Sequence, residues 1–308
     1  MSLLWLKKLD GLSKLAPKTL LRGKTTPKPG TAIVRPGGLG DMVLLTKAVI
    51  ELGLDPSGFS WFAEKRNSIW LEYLGVPFRH YHEAGVLLEV GLGKSKFEKV
   101  ICTEQFHGLA AVFSARLAVS SSQLSGFSIN PRADLFDKVC EYTGPELHEL
   151  EEFKNLFELS GFEKRGKEEF KLPACEDVDI EGNYVVLALA GLNHPHKKLS
   201  LDNWKRLYER ALGYTGQVVL LGSKAEAAFA SNLEKSLGSA VINKVGKQDF
   251  KQTIDLIRHS KRLVSVDSGL VHVADFFGIK SDVVFAWNSP AKWGPRAEGS
   301  KVLDPKEI

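Results

Sequence analysis

Cysteine is scarce. The 308 residues contain Cys102, Cys140 and Cys175, widely spaced, with no C-x-x-C and no paired framework. That excludes a disulfide scaffold and points to a reducing compartment. Long apolar runs are missing as well, and no stretch approaches the roughly 20 apolar residues a spanning helix needs. The opening MSLLWLKKLDGLSKL puts apolar residues before its lysines, the wrong order for a secretory signal. A cytoplasmic protein is expected. Neither a Ser-His-Asp order nor zinc-ligand spacing is present to support a hydrolytic site of those kinds.

What is present is the composition of a folded chain, 44% hydrophobic and 25% charged, long enough for two domains. The formal charge of +4 is uneven. Lys7, Lys8, Lys14, Lys18, Arg22, Lys24 and Lys28 stand against Asp10 in residues 1–30, a net of +6, which leaves −2 for the rest. The body is therefore not a nucleic-acid-binding surface. Residues 2–15 have helical spacing, with Trp5, Leu9, Leu12 and Ala16 on one face. Pro17 ends that pattern, and residues 22–30 read as a linker.

From residue 31 the pattern alternates strand and helix. Strands are expected at 32–35, 59–63 and 99–102, and helices at 41–52, 68–74, 108–118 and 146–160. Residues 87–90 fit a strand or a connecting helix, and 124–128 read as a short strand at a domain rim. A charged, proline-containing segment then leads to a second block. Its strands are expected at 184–188, 217–221, near 241, at 262–266 and at 282–285, with helices at 202–212, 225–237, 250–259 and 270–277. The pattern predicts two α/β domains with parallel sheets, 31–165 and 183–308, joined by a linker at 166–182. Ligands of such sheets bind at the carboxyl ends of strands, and a cleft between two such domains is the expected site.

Four stretches carry chemistry. RPGGLGD places Gly37, Gly38 and Gly40 between a strand and a helix, but a dinucleotide turn would need a third glycine where Val43 stands. Asp41 at the helix start would also repel a pyrophosphate. It is either a helix cap or a carboxylate offered to a substrate. LALAGLNHPHKKLSLDNW follows a strand with Asn193, His194, His196, Lys197 and Lys198; a lysine there suits phosphate, and H-x-H alone is weak evidence for a metal. VVLLGSKAEA ends a strand at Gly222-Ser223, and Glu226 can accept ribose hydroxyls or favour the helix dipole. LVSVDSGLVHVADFFG ends a strand at Asp267; Ser268, Gly269 and His272 open the next helix, whose N–H groups can face an anion. Trp287 and Trp293 follow in WNSPAKWGPRAE. The D-x-D at Asp177–Asp179 lies in the acidic linker, before a strand instead of after one. Cys102 reads as a small buried hydrophobe.

Taken in order, GGLGDMVLLTKAV, the lysine loop before DNW, LLGSKAE, DSGLVH and KWGP resemble the family 9 glycosyltransferases, the ADP-heptose:lipopolysaccharide heptosyltransferases. The resemblance implies a GT-B fold, two Rossmann-like domains around a cleft. It implies inverting, metal-independent transfer of a heptose from an ADP-sugar, with no cofactor, to a lipid-linked saccharide. Asp41 matches the catalytic base, with Gly37, Gly38 and Gly40 as the acceptor-side loop clearing space for a sugar. Lys197, Glu226, Asp267, Ser268, Gly269 and His272 match the donor-binding residues. KKLS where the family often has Lys-Arg-Trp-Pro leaves the donor sugar open. Helix 2–15 either packs on the protein or rests on the anionic inner leaflet, which residues 1–28 could contact. Competing readings are a nicotinamide-dependent oxidoreductase built on the 37–40 turn and a non-catalytic sugar-nucleotide-binding protein.

Overall fold

A computed structural model of the chain describes residues 10, 28–94, 96–164, 166, 170–190, 192, 199–237 and 241–308. The chain divides into two units, Met1–Pro173 and Ala174–Ile308.

The first unit holds strands β1 (Lys28–Arg35), β2 (Ser60–Ala63), β3 (Phe78–His80), β4 (Phe97–Cys102), β5 (Ala118–Phe127) and β6 (Lys138–Cys140). From residue 28 on, its described helices are α1 (Leu39–Glu51), α2 (Lys65–Leu74), α3 (Ala84–Gly91), α4 (Gly108–Leu117) and α5 (Glu149–Leu159). The strands order as β3-β2-β1-β4-β5-β6, and each neighbouring pair is parallel. Ile33 sits opposite Trp61 on one side and Ile101 on the other. Being covered on both faces, the central strands bury almost every residue. Trp70 of α2 is fully buried, and its indole N–H donates to Thr46 Oγ1 of α1 at 2.8 Å.

The second unit repeats the plan. Its strands are β7 (Val185–Ala188), β8 (Val218–Leu221), β9 (Val241–Asn243), β10 (Arg262–Val266), β11 (Ser281–Val284) and β12 (Lys301–Leu303). Its helices are α6 (Leu201–Thr215), α7 (Ala227–Leu237), α8 (Phe250–His259), α9 (Gly269–Phe276) and α10 (Pro290–Trp293). The order is β12-β11-β10-β7-β8-β9, again parallel throughout. Local signals start the helices where expected: Ser200 Oγ accepts from Asn203 N at the head of α6, and Asp249 Oδ1 from Gln252 N at the head of α8.

Each unit therefore has the doubly wound order in which the third, second and first strands lie on one side and the fourth to sixth on the other. Its strand order reverses between β1 and β4, and between β7 and β10. The loops leaving those two strand pairs frame the position where such sheets bind ligands.

Several expectations need correction. Residues 28–30 are not linker: β1 begins at Lys28, opposite Phe97. Residues 87–90, for which strand and connecting helix both fitted, take the helical alternative within α3. The stretch 124–128 ends a ten-residue strand inside the sheet, between β4 and β6, and is not a rim strand. Gly126 there reflects packing: a Cβ would lie 2.3 Å from Cε2 of Phe136. The short strands β3, β6 and β12 were not foreseen, because three residues carry no legible alternation. Helix 2–15 lies outside the described residues apart from Asp10. That residue is helical, and its Oδ1 accepts from Leu109 N at 2.9 Å on the first turn of α4.

Candidate active site

In the first unit, RPGGLGD closes around one ion pair. Arg35, the last residue of β1, is 3% exposed, and its Nη2 lies 2.7 Å from Asp41 Oδ1. Asp41 stands on the first turn of α1, 22% exposed, and its Oδ2 accepts from Gly38 N at 2.9 Å. Asp41 is thus both a cap and an ion-pair partner. The glycines make room for this pair. Gly37 has φ +132°, and a Cβ there would lie 3.1 Å from Asp41 Oδ2 and 3.3 Å from Arg35 Nη2; a Cβ on Gly38 would lie 3.2 Å from the same carboxylate oxygen. Gly40 lies within α1. The carboxylate also occupies the Gly38 N–H, one of the donors a pyrophosphate would need, so the turn is not a dinucleotide cradle.

Arg35 also reaches the other loop of the switch point. Its Nη1 donates to Thr103 O at 2.6 Å and to Gln105 Oε1 at 3.2 Å, just past the end of β4. Gln105 Nε2 donates to the fully buried Glu149 at 2.5 Å, and Tyr142 donates to the other oxygen of Glu149 at 2.9 Å. The Arg35 guanidinium lies 5.3 Å from the Phe153 ring centre. Burial works against charge on Arg35, but Asp41, Glu104 and Glu149 outweigh it and hold its pKa above the ordinary value.

Glu104 fixes the loop after β4. Its Oε1 accepts from Phe106 N, His107 N and His107 Nδ1 at 2.8, 3.2 and 3.0 Å, while Asn130 Nδ2 donates to its carbonyl at 2.7 Å. Burial opposes the Glu104 charge, yet His107, Arg35 and the Phe106 N–H together draw its pKa below the usual value. The side chains left facing solvent are His107, 45% exposed, and Phe106. None of Arg35, Glu104, Gln105, His107 or Glu149 was singled out from the sequence. The available signal was that TEQFH follows a strand as RPGGLGD does.

In the second unit, the parallel sheet brings the ends of β7, β8, β10 and β11 to one edge. Asp267 follows β10, is 7% exposed, and accepts from Asn288 Nδ2 at 2.5 Å. Ser268 is the N-cap of α9 but makes no side-chain cap bond; its Oγ lies 3.5 Å from Ser265 Oγ. Gly269 opens the helix. His272 is 4% exposed, with its ring edge-on to Trp293 at 6.2 Å. Asp275 Oδ1 accepts from Arg296 N and Ala297 N, tying the WGPRAE segment to α9. Gly294 is required sterically, since a Cβ would lie 2.4 Å from Pro290 O.

Glu226 ends a short 3-10 turn after β8, and its Oε2 accepts from Ser223 N and Ser223 Oγ at 2.8 and 2.5 Å. The sheet thus sets Glu226 and the Asp267–His272 loop on either side of the loop leaving β7. Lys197 follows β7 in the sequence and, with Asn193, His194, His196 and Lys198, lies outside the described residues. Among the described residues no group of three or more His, Cys, Asp or Glu is placed to hold a metal ion. Asp177 and Asp179 are exposed ahead of β7, and Cys102 is fully buried with its thiol pushed up to about 11 by desolvation.

The model of glycosyltransferase family 9 (heptosyltransferase) matches residues 129–305. The chain belongs to glycosyltransferase family 9. The match takes in the whole DSGLVH–KWGP region and begins beyond Asp41. The α/β fold is that of GT-B-type heptosyltransferase structures. A family 9 glycosyltransferase from Veillonella parvula is 15% identical at a TM-score of 0.71, covering 92% of this chain and 88% of that one. E. coli heptosyltransferase WaaC, solved with ADP, is 18% identical at 0.68, covering 90% and 93%. E. coli ADP-heptose lps heptosyltransferase II is 15% identical at 0.67, covering 89% and 90%. At these identities the likeness is one of fold. A search of curated proteins finds no match. Family 9 membership removes the oxidoreductase reading, and the protein is a glycosyltransferase of the heptosyltransferase type.

Proposed function

We propose that this family 9 glycosyltransferase moves a heptose from an ADP-activated donor to a saccharide of the lipopolysaccharide inner core, with inversion and without a metal ion. The observation that carries the reading is the switch point of the second sheet. There Asp267, Ser268 and the open N-terminus of α9 flank the loop leaving β7, with Glu226 on its other side. Structures of the fold relative WaaC with ADP support the nucleotide.

In the proposed reaction an acceptor hydroxyl oxygen attacks the anomeric carbon while the bond from that carbon to the diphosphate oxygen breaks. Asp41 takes the hydroxyl proton, with its carboxylate aimed by Arg35 and Gly38 N. Negative charge grows on the departing ADP, and Lys197 with the α9 N–H groups meets it. Glu226 holds the ribose hydroxyls. Gly37, Gly38 and Gly40 leave space for the acceptor sugar to approach the backbone of this turn.

The test is turnover of ADP-heptose with a deacylated inner-core oligosaccharide, with and without EDTA, and NMR of the product's anomeric configuration. ADP release with inverted product, unchanged by EDTA, is expected. A retained configuration or loss of activity in EDTA would overturn those parts, and a screen of other nucleotide sugars would reveal a different donor.

We also propose that the protein works in the cytoplasm, with its basic N-terminal segment against the anionic inner leaflet. Among the described residues no helix is long and apolar enough to cross a membrane. Deleting residues 1–22 should abolish liposome binding and leave folding intact. Unfolding of the deletion variant would instead assign the segment to packing, of which the bond from Leu109 N to Asp10 is one contact.

A further inference from the structure

The second unit carries a basic cavity at the edge of the sheet opposite the motif loops. Its volume is about 650 Å³, and its lining includes Tyr214, Thr215, Asn183, Lys261, Arg262 and Lys280. These residues lie at strand beginnings and at the end of α6, whereas Glu226 and Asp267–His272 follow strand ends. In a parallel sheet those are opposite edges, so the cavity is separate from the proposed donor site.

Every charged residue of the lining is a cation. The acid beneath it is already over-compensated. Asp282 is fully buried and meets two guanidiniums: Arg262 Nη1 at 2.5 Å and Arg210 Nε at 2.5 Å, with Tyr214 donating its hydroxyl at 2.8 Å. Arg262 also lies 4.6 Å from the Tyr214 ring centre and donates to Gly299 O. That cluster keeps a net charge of +1 before the lysines are counted.

Lys261 and Lys280 add two more charges. Their backbones are pinned at the starts of neighbouring strands: Lys261 N donates to Tyr184 O, and Lys280 O accepts from Leu263 N, both at 2.9 Å. The stem of Lys280 lies over Gly299, where a Cβ would come within 3.3 Å of its Cδ. Among the described residues neither ammonium has a carboxylate partner. Lys261 and Lys280 immediately precede the adjacent parallel strands β10 and β11 and are both exposed, so an anion can reach them from solvent. The C-terminal dipole of α6 offsets only about half a charge.

We propose that this cavity binds a phosphate-bearing anion through Lys261 and Lys280, above the Arg262–Asp282–Arg210 cluster. Two lysines in the lining of a cavity of this size suit phosphate as point charges. The phosphate can come from a soluble phosphate compound or from the headgroup of an anionic lipid, since the recognising chemistry is the same.

The experiment compares the full chain with a Lys261→Ala/Lys280→Ala variant, neither residue belonging to the proposed transfer machinery. Inorganic pyrophosphate is titrated in a thermal-shift assay with saturating ADP present, against sodium chloride at equal ionic strength. Pyrophosphate should raise the wild-type melting temperature beyond the salt control, and that rise should disappear in the variant. The variant without pyrophosphate should keep wild-type stability, since both side chains are exposed and neither has a carboxylate partner among the described residues. Flotation with phosphatidylglycerol-containing vesicles then separates the sources. Weaker binding by the variant assigns a lipid headgroup, and equal binding assigns a soluble ligand. Equal pyrophosphate shifts in both proteins, or a variant destabilised with no loss of pyrophosphate response, would overturn the proposal. Transferase turnover of the variant should match wild type, so this result stands apart from that of the transfer reading.

Discussion

Arg35 holds Asp41 with one nitrogen and the loop after β4 with the other. Its Nη2 is 2.7 Å from the Asp41 carboxylate, and its Nη1 is 2.6 Å from Thr103 O. One buried cation thus joins both loops of the switch point.

Removing that cation should cost more than removing an ordinary surface charge. Arg35→Ala leaves Glu149 buried with its guanidinium neighbour gone, and breaking such a site costs roughly 3–5 kcal/mol. Arg35→Lys keeps the charge but cannot span Asp41, Thr103 and Gln105 together, so an intermediate loss is expected. Urea denaturation of the three proteins checks this order.

Glu104 predicts an acid limb in stability. Its pKa is 4.5 ordinarily and lower in the fold, drawn down against burial by His107, Arg35 and the Phe106 N–H. The stabilisation is therefore fully present above about pH 4.5 and is lost as pH falls through the folded value. Glu104→Gln should flatten that part of the stability profile. An unchanged slope between wild type and variant in denaturant titrations from pH 6 downward would contradict the assignment.

Gly294 tests the steric reading of the KWGP stretch. A Cβ 2.4 Å from Pro290 O meets backbone, which cannot step aside as a side chain can. Gly294→Ala should destabilise by about 1–3 kcal/mol. Gly58→Ala, where a Cβ meets nothing within 4 Å, should stay within about 0.5 kcal/mol of wild type.

Lys197 is the test on the donor side. Lys197→Ala should weaken ADP-sugar binding by about 10- to 100-fold, the scale of one lost charged hydrogen bond. Isothermal titration with ADP-heptose measures it. An unchanged dissociation constant would move the role to Lys198.

Much of the architecture was legible because parallel strands covered on both faces are continuous apolar runs, as VVLA and VVLL are in β7 and β8. Three-residue strands such as β3 and β12 left no such trace, and the packing role of Gly126 was not legible because its partner Phe136 is ten residues away. In the candidate site, Asp41 stood out beside a glycine-rich turn and Asp267 at a strand end before Ser268-Gly269. Arg35 did not, although it lies in the same motif as Asp41. Its role depends on β4 lying beside β1, and strand order is not written in local spacing. Glu104 and Gln105 were missed for the same reason. Glu226 was read either as a ribose ligand or as a helix-start glutamate favoured by the dipole, and the structure adds its bonds from Ser223 N and Oγ.

The central claim is that Asp41 is the base of a heptosyl transfer, and the Asp41→Asn variant tests it most directly. Steady-state turnover with ADP-heptose and a deacylated inner-core acceptor should be measured beside ADP affinity by titration. The account predicts turnover lowered by about 10²- to 10⁴-fold, the usual worth of a general base, with ADP affinity nearly unchanged. Turnover equal to wild type with ADP still bound would contradict it, leaving Asp41 as the cap of α1 and the partner of Arg35 alone.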